Sequence, residues 1–156
     1  MLTIQIDSRE KSRAIQKILT FFDLNGINHI SSKLYVGDYM SLDNPKVIID
    51  RKQNLGELCG NVCQQHTRFS AELKRAKEAG VHIIILCEHS NRIKTLEDVK
   101  EWKNPRLKNS PLAMSGERLY KVLKTMQASD NYDVEFMFCD KNHTGQRIAE
   151  LLGVEL

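Results

Sequence analysis

Val47-Ile48-Ile49-Asp50-Arg51-Lys52 sets three β-branched apolar residues directly before three charged ones. Branching at Cβ suits a pleated backbone, so the first half reads as a buried strand. Side chains two apart on a strand share a face. Asp50 and Lys52 therefore point one way and Arg51 the other. Bringing a carboxylate and an ammonium to the end of a buried strand costs desolvation energy that a bound ligand would offset. The end of this strand is the first candidate site.

Elements predicted on either side fit around this strand. Leu2, Ile4 and Ile6 alternate with Thr3, Gln5 and Asp7, which predicts a first strand ending in an acid. Ile15, Ile18, Leu19 and Phe22 share one helical face, and Gly26 follows as a stop. Residues 30–35 are a weaker strand candidate running into Gly37-Asp38. With the turn signal Asp43-Asn44-Pro45, this suggests a hairpin onto the central strand. Leu55, Leu58, Cys59 and Val62 repeat the helical spacing, as do Phe69, Leu73 and Ala76. Residues 81–87 are apolar except for His82, the pattern of a strand covered on both faces. Thr95 starts a short helix through Trp102. Ser115 caps a helix bearing Leu119, Val122, Leu123 and Met126. Val134, Phe136 and Phe138 alternate as a final strand, and Ile148, Leu151 and Leu152 mark a last helix. Mixed β and α elements around one sheet predict a three-layer α/β domain.

Composition is consistent with this and excludes other classes. The 156 residues fit one domain, and 41% hydrophobic with 28% charged residues argues against a disordered chain. No basic-then-apolar leader and no apolar run near ~18 residues occur, so a cytoplasmic location is expected, at the nucleoid if the chain is bacterial or phage-encoded. Four cysteines in such a chain read as reduced thiols. The net charge of +3 permits nucleic-acid binding without demanding it.

Asp7, Glu10, Asp38 and Asp50 all fall at predicted strand ends or helix starts, where a sheet presents its sites. Taken singly, each reads equally well as a turn residue or a helix cap. As a converging set they would repel one another, and a hard divalent ion relieves that repulsion. Lys52 beside Asp50 would then meet an attacking water or a phosphate, which points to metal-dependent phosphodiester chemistry.

Asp7-Ser8-Arg9-Glu10, then Gly37-Asp38, then Ile49-Asp50-Arg51-Lys52 resembles the nuclease domain of XPF-type structure-specific endonucleases. That family belongs to the restriction-endonuclease-like, PD-(D/E)XK fold. Arg68-Phe69 with Leu73 and Arg75, and the strand of Ile83 to Leu86, continue the likeness, which is good over residues 3–90. The remainder looks most like compact phage- or prophage-encoded members.

The resemblance implies a mixed central sheet flanked by helices, and a Mg²⁺-dependent DNA endonuclease in which Mn²⁺ can substitute. It implies catalytic roles for Asp38, Asp50, Lys52, Glu10 and Asp7, with Asp38, Asp50 and Glu10 as metal ligands. It further implies branched or flapped DNA substrates, products with 5′-phosphate and 3′-hydroxyl ends, roles in repair or recombination, and a homodimer or partner protein. Two positions depart from the family pattern. Asp50 stands where Glu is usual, and Gly56, followed by Glu57, stands where a further Asp is usual. No tandem helix-hairpin-helix module follows, so a single nuclease domain over residues 1–156 is expected.

Between Lys100 and Lys124, seven basic residues stand against two acidic ones, a local balance of +5. Arg9, Arg51, Arg68, Arg75, Lys103, Arg106 and Lys108 are the candidate DNA contacts, against the plainer reading of solvated faces. Trp102 either stacks on an unpaired base or anchors its loop. Ser115-Gly116 either holds a phosphate or simply caps its helix. Cys59, Cys63 and His66 share a helical face, but zinc needs a fourth ligand and none is spaced nearby, which favours buried thiols. Two rivals stand beside the nuclease reading. One is a catalytically silent nuclease-like DNA-binding or dimerisation subunit, and the other a sequence-specific restriction-type enzyme.

Overall fold

In the computed structural model, which describes residues 2–153, strand β5 (His82–His89) lies between two separate apolar cores. Ile83, Ile85 and Cys87 face one core, and Ile84 and Leu86 face the other. This is the two-sided burial that its unbroken apolar run predicts.

Helices α2 (Leu55–Val62), α3 (His66–Glu78) and α4 (Gly116–Ala128) cover the first face through Leu58, Phe69, Leu73, Leu119 and Leu123. Helices α1 (Gln16–Leu24) and α5 (Thr144–Leu151) cover the second through Ile18, Phe22, Ile148 and Ala149. The result is the expected three-layer α/β architecture. No helix among the described residues is long and apolar enough to cross a membrane.

The sheet has six strands in the order β2-β1-β3-β4-β5-β6. These are β1 (Thr3–Ile6), β2 (Asn28–Ser31), β3 (Tyr39–Ser41), β4 (Asn44–Lys52), β5 and β6 (Val134–Asp140). β3 runs antiparallel to both its neighbours, while β1–β2, β4–β5 and β5–β6 are parallel pairs. The charged end of β4 stays inside the sheet. Asp50 lies opposite Ile85, Arg51 opposite Leu86, and Lys52 opposite Cys87.

Three expectations are corrected. The strand predicted at 30–35 is instead Asn28–Ser31, because the chain then leaves the sheet and the Asp7 carboxylate binds the Leu34 N–H at 2.7 Å. The hairpin partner of β4 is the three-residue β3, too short to show a period, and the turn falls at Leu42-Asp43 rather than at Asn44-Pro45. The helix expected through Trp102 is a 3-10 helix, Leu96–Glu101, closed by a Thr95–Asp98 capping box.

Candidate active site

Gly37 determines how Asp38 enters the site. Its φ is +72°, and a Cβ there would stand 2.4 Å from Ile48 Cγ2 and 3.2 Å from the Ile49 carbonyl oxygen. Only glycine allows the chain to cross β4 so closely. Asp38 N–H then donates to the Ile49 carbonyl at 2.8 Å, and Arg51 N–H donates to Asp38 Oδ2 at 2.8 Å. These bonds aim the Asp38 carboxyl at Asp50. Lys52 Nζ lies 3.5 Å from Asp50 Oδ2 and 5.6 Å from the centroid of Phe69, so an aromatic face holds the ammonium beside the acids.

Burial is the main cause raising the Asp38 pKa, followed by the charge of Asp50, a hydrogen bond between the two carboxyls, and the charge of Glu10. Together they push it up to about 9. Asp38 thus keeps its proton against Asp50 in a cleft of about 330 Å³, lined also by Glu57, Glu72 and Arg75. A pair of hard oxygen donors that repel unless protonated suits Mg²⁺, which takes few protein ligands and keeps several waters. Among the described residues, no group of three or more His, Cys, Asp or Glu side chains converges as a metal cage. The oxygen donors that meet here are Asp38 and Asp50, while Glu10, also expected as a ligand, is engaged by Arg51.

Glu10 and Asp7 border this pair and are held by arginines. Glu10 takes Arg51 Nη2 at 2.8 Å and Arg51 Nε at 3.1 Å. Asp7 is fully buried; Oδ1 accepts from Leu34 N–H, and Oδ2 accepts from Arg9 Nε at 2.7 Å and Arg9 N–H at 3.1 Å. Burial alone would raise the Asp7 pKa, but the hydrogen bonds from Arg9 and Leu34 outweigh it and hold it below the usual carboxylate range.

Arg51 turns to the opposite face from Asp50 and Lys52, as strand alternation predicts. Its guanidinium is committed to Glu10 and to Glu88 Oε1 at 2.5 Å, inside the protein. Glu88 is two residues beyond Leu86, the partner of Arg51 in the sheet, so the diagonal neighbour on that face is an acid. Its second oxygen accepts from Thr144 Oγ1 at 2.6 Å. Sequence reasoning missed both residues. The available signal was an acid ending an apolar strand, the same pattern that singled out Asp50.

The remaining candidates are more dispersed. Arg9 and Arg68 extend into solvent, and Arg75 packs over Tyr35 at 5.2 Å on the rim of the cleft. Lys103, Arg106 and Lys108 sit on and beside the 3-10 helix Pro105–Lys108, at a different surface. Trp102 is buried in the first core and anchors its loop. Ser115 Oγ accepts from Arg118 N–H at 3.2 Å as a plain cap.

Cys59 and Cys63 are free thiols 3.9 Å apart. α2 ends at Val62, however, and exposed His66 begins α3, so the three residues are not on one helix. His89, unassigned from sequence, accepts the Leu55 N–H through Nδ1 at 3.2 Å and so satisfies the start of α2; burial lowers its pKa.

A mixed sheet between two helical layers, with facing acids and a lysine at the end of its fourth strand, defines a nuclease-type fold of the XPF class. The ERCC4 domain profile matches residues 6–151, and the chain belongs to that family. Solved structures are similar to it as well, two of them of one protein. XPF from Aeropyrum pernix superposes with a TM-score of 0.66 at 20% identity, covering 96% of this chain and 63% of that one. The same protein in complex with DNA superposes with a TM-score of 0.68 at 19% identity, covering 97% and 64%. The chain thus spans just under two thirds of those structures' length. No curated protein matches it by sequence.

Proposed function

We propose that this chain is a divalent-metal-dependent DNA endonuclease acting on branched, flap or junction DNA. The observation that carries the reading is the facing pair Asp38 and Asp50 with Lys52 beside them, at the mouth of an open polar cleft. A purely structural site has no use for two carboxyls so close that one keeps its proton. Asp38 and Asp50 would hold Mg²⁺, with Mn²⁺ as a substitute. The bound ion would supply charge stabilisation at the phosphoryl oxygens and a more acidic water.

The chain's own groups do the positioning. Lys52 is placed to contact the scissile phosphate or to move a proton at the attacking water. Glu10, Arg51 and Glu88 brace the end of β4 from behind, which keeps the Asp50–Lys52 geometry fixed while substrate binds. Arg9 and Arg75 line the catalytic cleft and Arg68 lines an adjoining one with Lys52, where they would meet the DNA backbone. The solved complex of Aeropyrum pernix XPF with DNA supports DNA as the partner. A homodimer or partner protein would complete substrate selection.

Purified protein incubated with labelled duplex, single-stranded, flap and four-way DNA, in Mg²⁺ or in EDTA, tests the proposal. Mg²⁺-dependent cleavage is expected, slowed by roughly 10²-fold or more in Asp50→Asn and in Lys52→Ala. Cleavage of none of the substrates would leave a DNA-binding subunit without catalytic function. Unchanged rates in both variants would show that the site lies elsewhere.

A further inference from the structure

A second cleft, of about 470 Å³, opens on the other side of the β4 end. It lies between the segment leading into α1 and residue Lys141, and it shares Arg51 and Gln53 with the catalytic cleft as a common wall. The two clefts differ in charge. Six acids and four bases line the catalytic cleft. The second is lined by Arg13, Lys17, Arg51 and Lys141 with a single acid, Glu88, which Arg51 already neutralises.

Among the described residues, Arg13 and Lys141 make no ion pair or hydrogen bond, and both are exposed. Lys17 Nζ donates to Asn142 Oδ1 at 2.7 Å, which ties α1 to the turn that carries Lys141. The approach of α5 to α1 sets this wall. A Cβ on Gly145 would stand 2.9 Å from Phe21 Cβ and 3.3 Å from Ile18 Cα, so only glycine brings the turn so near. No side chain caps the first turn of α1 and no acid sits in it, so nothing in that wall opposes an anion.

Arg13 and Lys141, from segments far apart in sequence, thus offer unpaired charges to one cleft beside an acidic centre. We propose that this cleft binds phosphate groups of a second DNA strand, the one that leaves the duplex at a branch while the other strand enters the acidic cleft. This rests on the nuclease reading and deepens it. An acidic centre repels DNA unless a cation is bound. A positive cleft across the shared wall of Arg51 and Gln53 adds phosphate contacts that a linear duplex, with a single path across the site, does not make. The phosphates can be internal diesters of an outgoing flap or a terminal phosphate at the branch point.

The test uses the full chain in Ca²⁺, a hard cation supplied to the acidic centre without Mg²⁺, with cleavage measured separately in Mg²⁺. Binding is titrated on a duplex, a flap, and a nicked duplex bearing either a 5′-phosphate or a 5′-hydroxyl at the nick. The double variant Arg13→Ala/Lys141→Ala changes two exposed side chains, and an unaltered Tm verifies its fold. The expected result is about a tenfold or greater loss on the flap or the 5′-phosphate nick, with less than about a twofold loss on the duplex. The slope of log K against log salt should fall by about 1.4 on the flap, as for two lost single-strand phosphate contacts. Loss on the flap assigns the site to internal diesters. Loss confined to the 5′-phosphate nick assigns it to a terminal phosphate.

Equal losses on all substrates, or none on any, would overturn the proposal. The two readings fail separately. Wild-type protein that cuts DNA while the double variant binds both the flap and the 5′-phosphate nick normally refutes only the second cleft. Protein that never cuts, yet loses flap binding in the double variant, refutes only the nuclease reading.

Discussion

Removing one charge from the Asp38–Asp50 pair should change how stability depends on pH. Asp38 has a pKa of about 9 in the folded, metal-free protein, against 3.8 for an ordinary aspartate. Between these values the folded state holds a proton that the unfolded chain has lost. Stability therefore falls as pH rises, by about 1.4 kcal/mol per pH unit for one proton. From pH 6 to pH 8 the wild type in EDTA should lose about 2.7 kcal/mol, or roughly 5–10 °C in Tm for a domain of this size. In Asp50→Asn the repulsion is gone while burial and the charge of Glu10 remain, so the slope becomes shallower without vanishing, and the variant loses less stability than the wild type between pH 6 and pH 8.

His82, whose pKa is raised by Asp133 and Glu135 despite its burial, also destabilises the fold as pH rises through its folded value. It is common to both proteins, so the difference between wild type and variant isolates the pair. Adding Mg²⁺ should restore the wild type, more at pH 8 than at pH 6, and leave Asp50→Asn almost unaffected. Differential scanning calorimetry at pH 6, 7 and 8, with EDTA or Mg²⁺, measures all of this. Parallel Tm–pH lines for wild type and variant in EDTA would refute the proton held by Asp38 against Asp50, and with it the main argument for a cation at this site.

Gly37→Ala should destabilise the protein by about 2–4 kcal/mol, combining a strained φ with a clash against Ile48, and should abolish cleavage because Asp38 moves. Urea unfolding checks the first effect, and a wild-type midpoint would mean that the crossing of β4 is looser than described. Glu88→Ala leaves Arg51 with one carboxylate partner in a buried setting and should cost about 3–5 kcal/mol, with Glu88→Gln costing less. A loss below about 1 kcal/mol in denaturant unfolding would show that solvent reaches this pair.

What the sequence determined by itself was local. Strand alternation separates Asp50 and Lys52 from Arg51 whatever the rest of the chain does, because successive side chains on a strand must point to opposite faces. The apolar runs of β4 and β5 likewise required two covering layers, and hence three layers in all. The sequence also set Asp38 at a predicted strand end directly after Gly37, while the close crossing of β4 at that glycine came only from the structure.

Tertiary structure decided everything that depends on partners far apart in sequence. β3 has three residues, too few for a period, and exists because β1 and β4 flank it. Cys59, Cys63 and His66 matched one helical face on paper, but the helix ends at Val62 and packing of α3 sets a new direction. Glu88 reaches Arg51 across 37 residues and Thr144 reaches Glu88 across 56, and although an acid ends the apolar run of β5, nothing local to it names Arg51 or Thr144 as its partner. The repulsion between Asp38 and Asp50 is likewise a property of the assembled sheet. Each acid alone is an ordinary turn or strand-end residue, and only their approach in a partly desolvated cleft raises the Asp38 pKa and supplies the observation on which the proposed cation site rests.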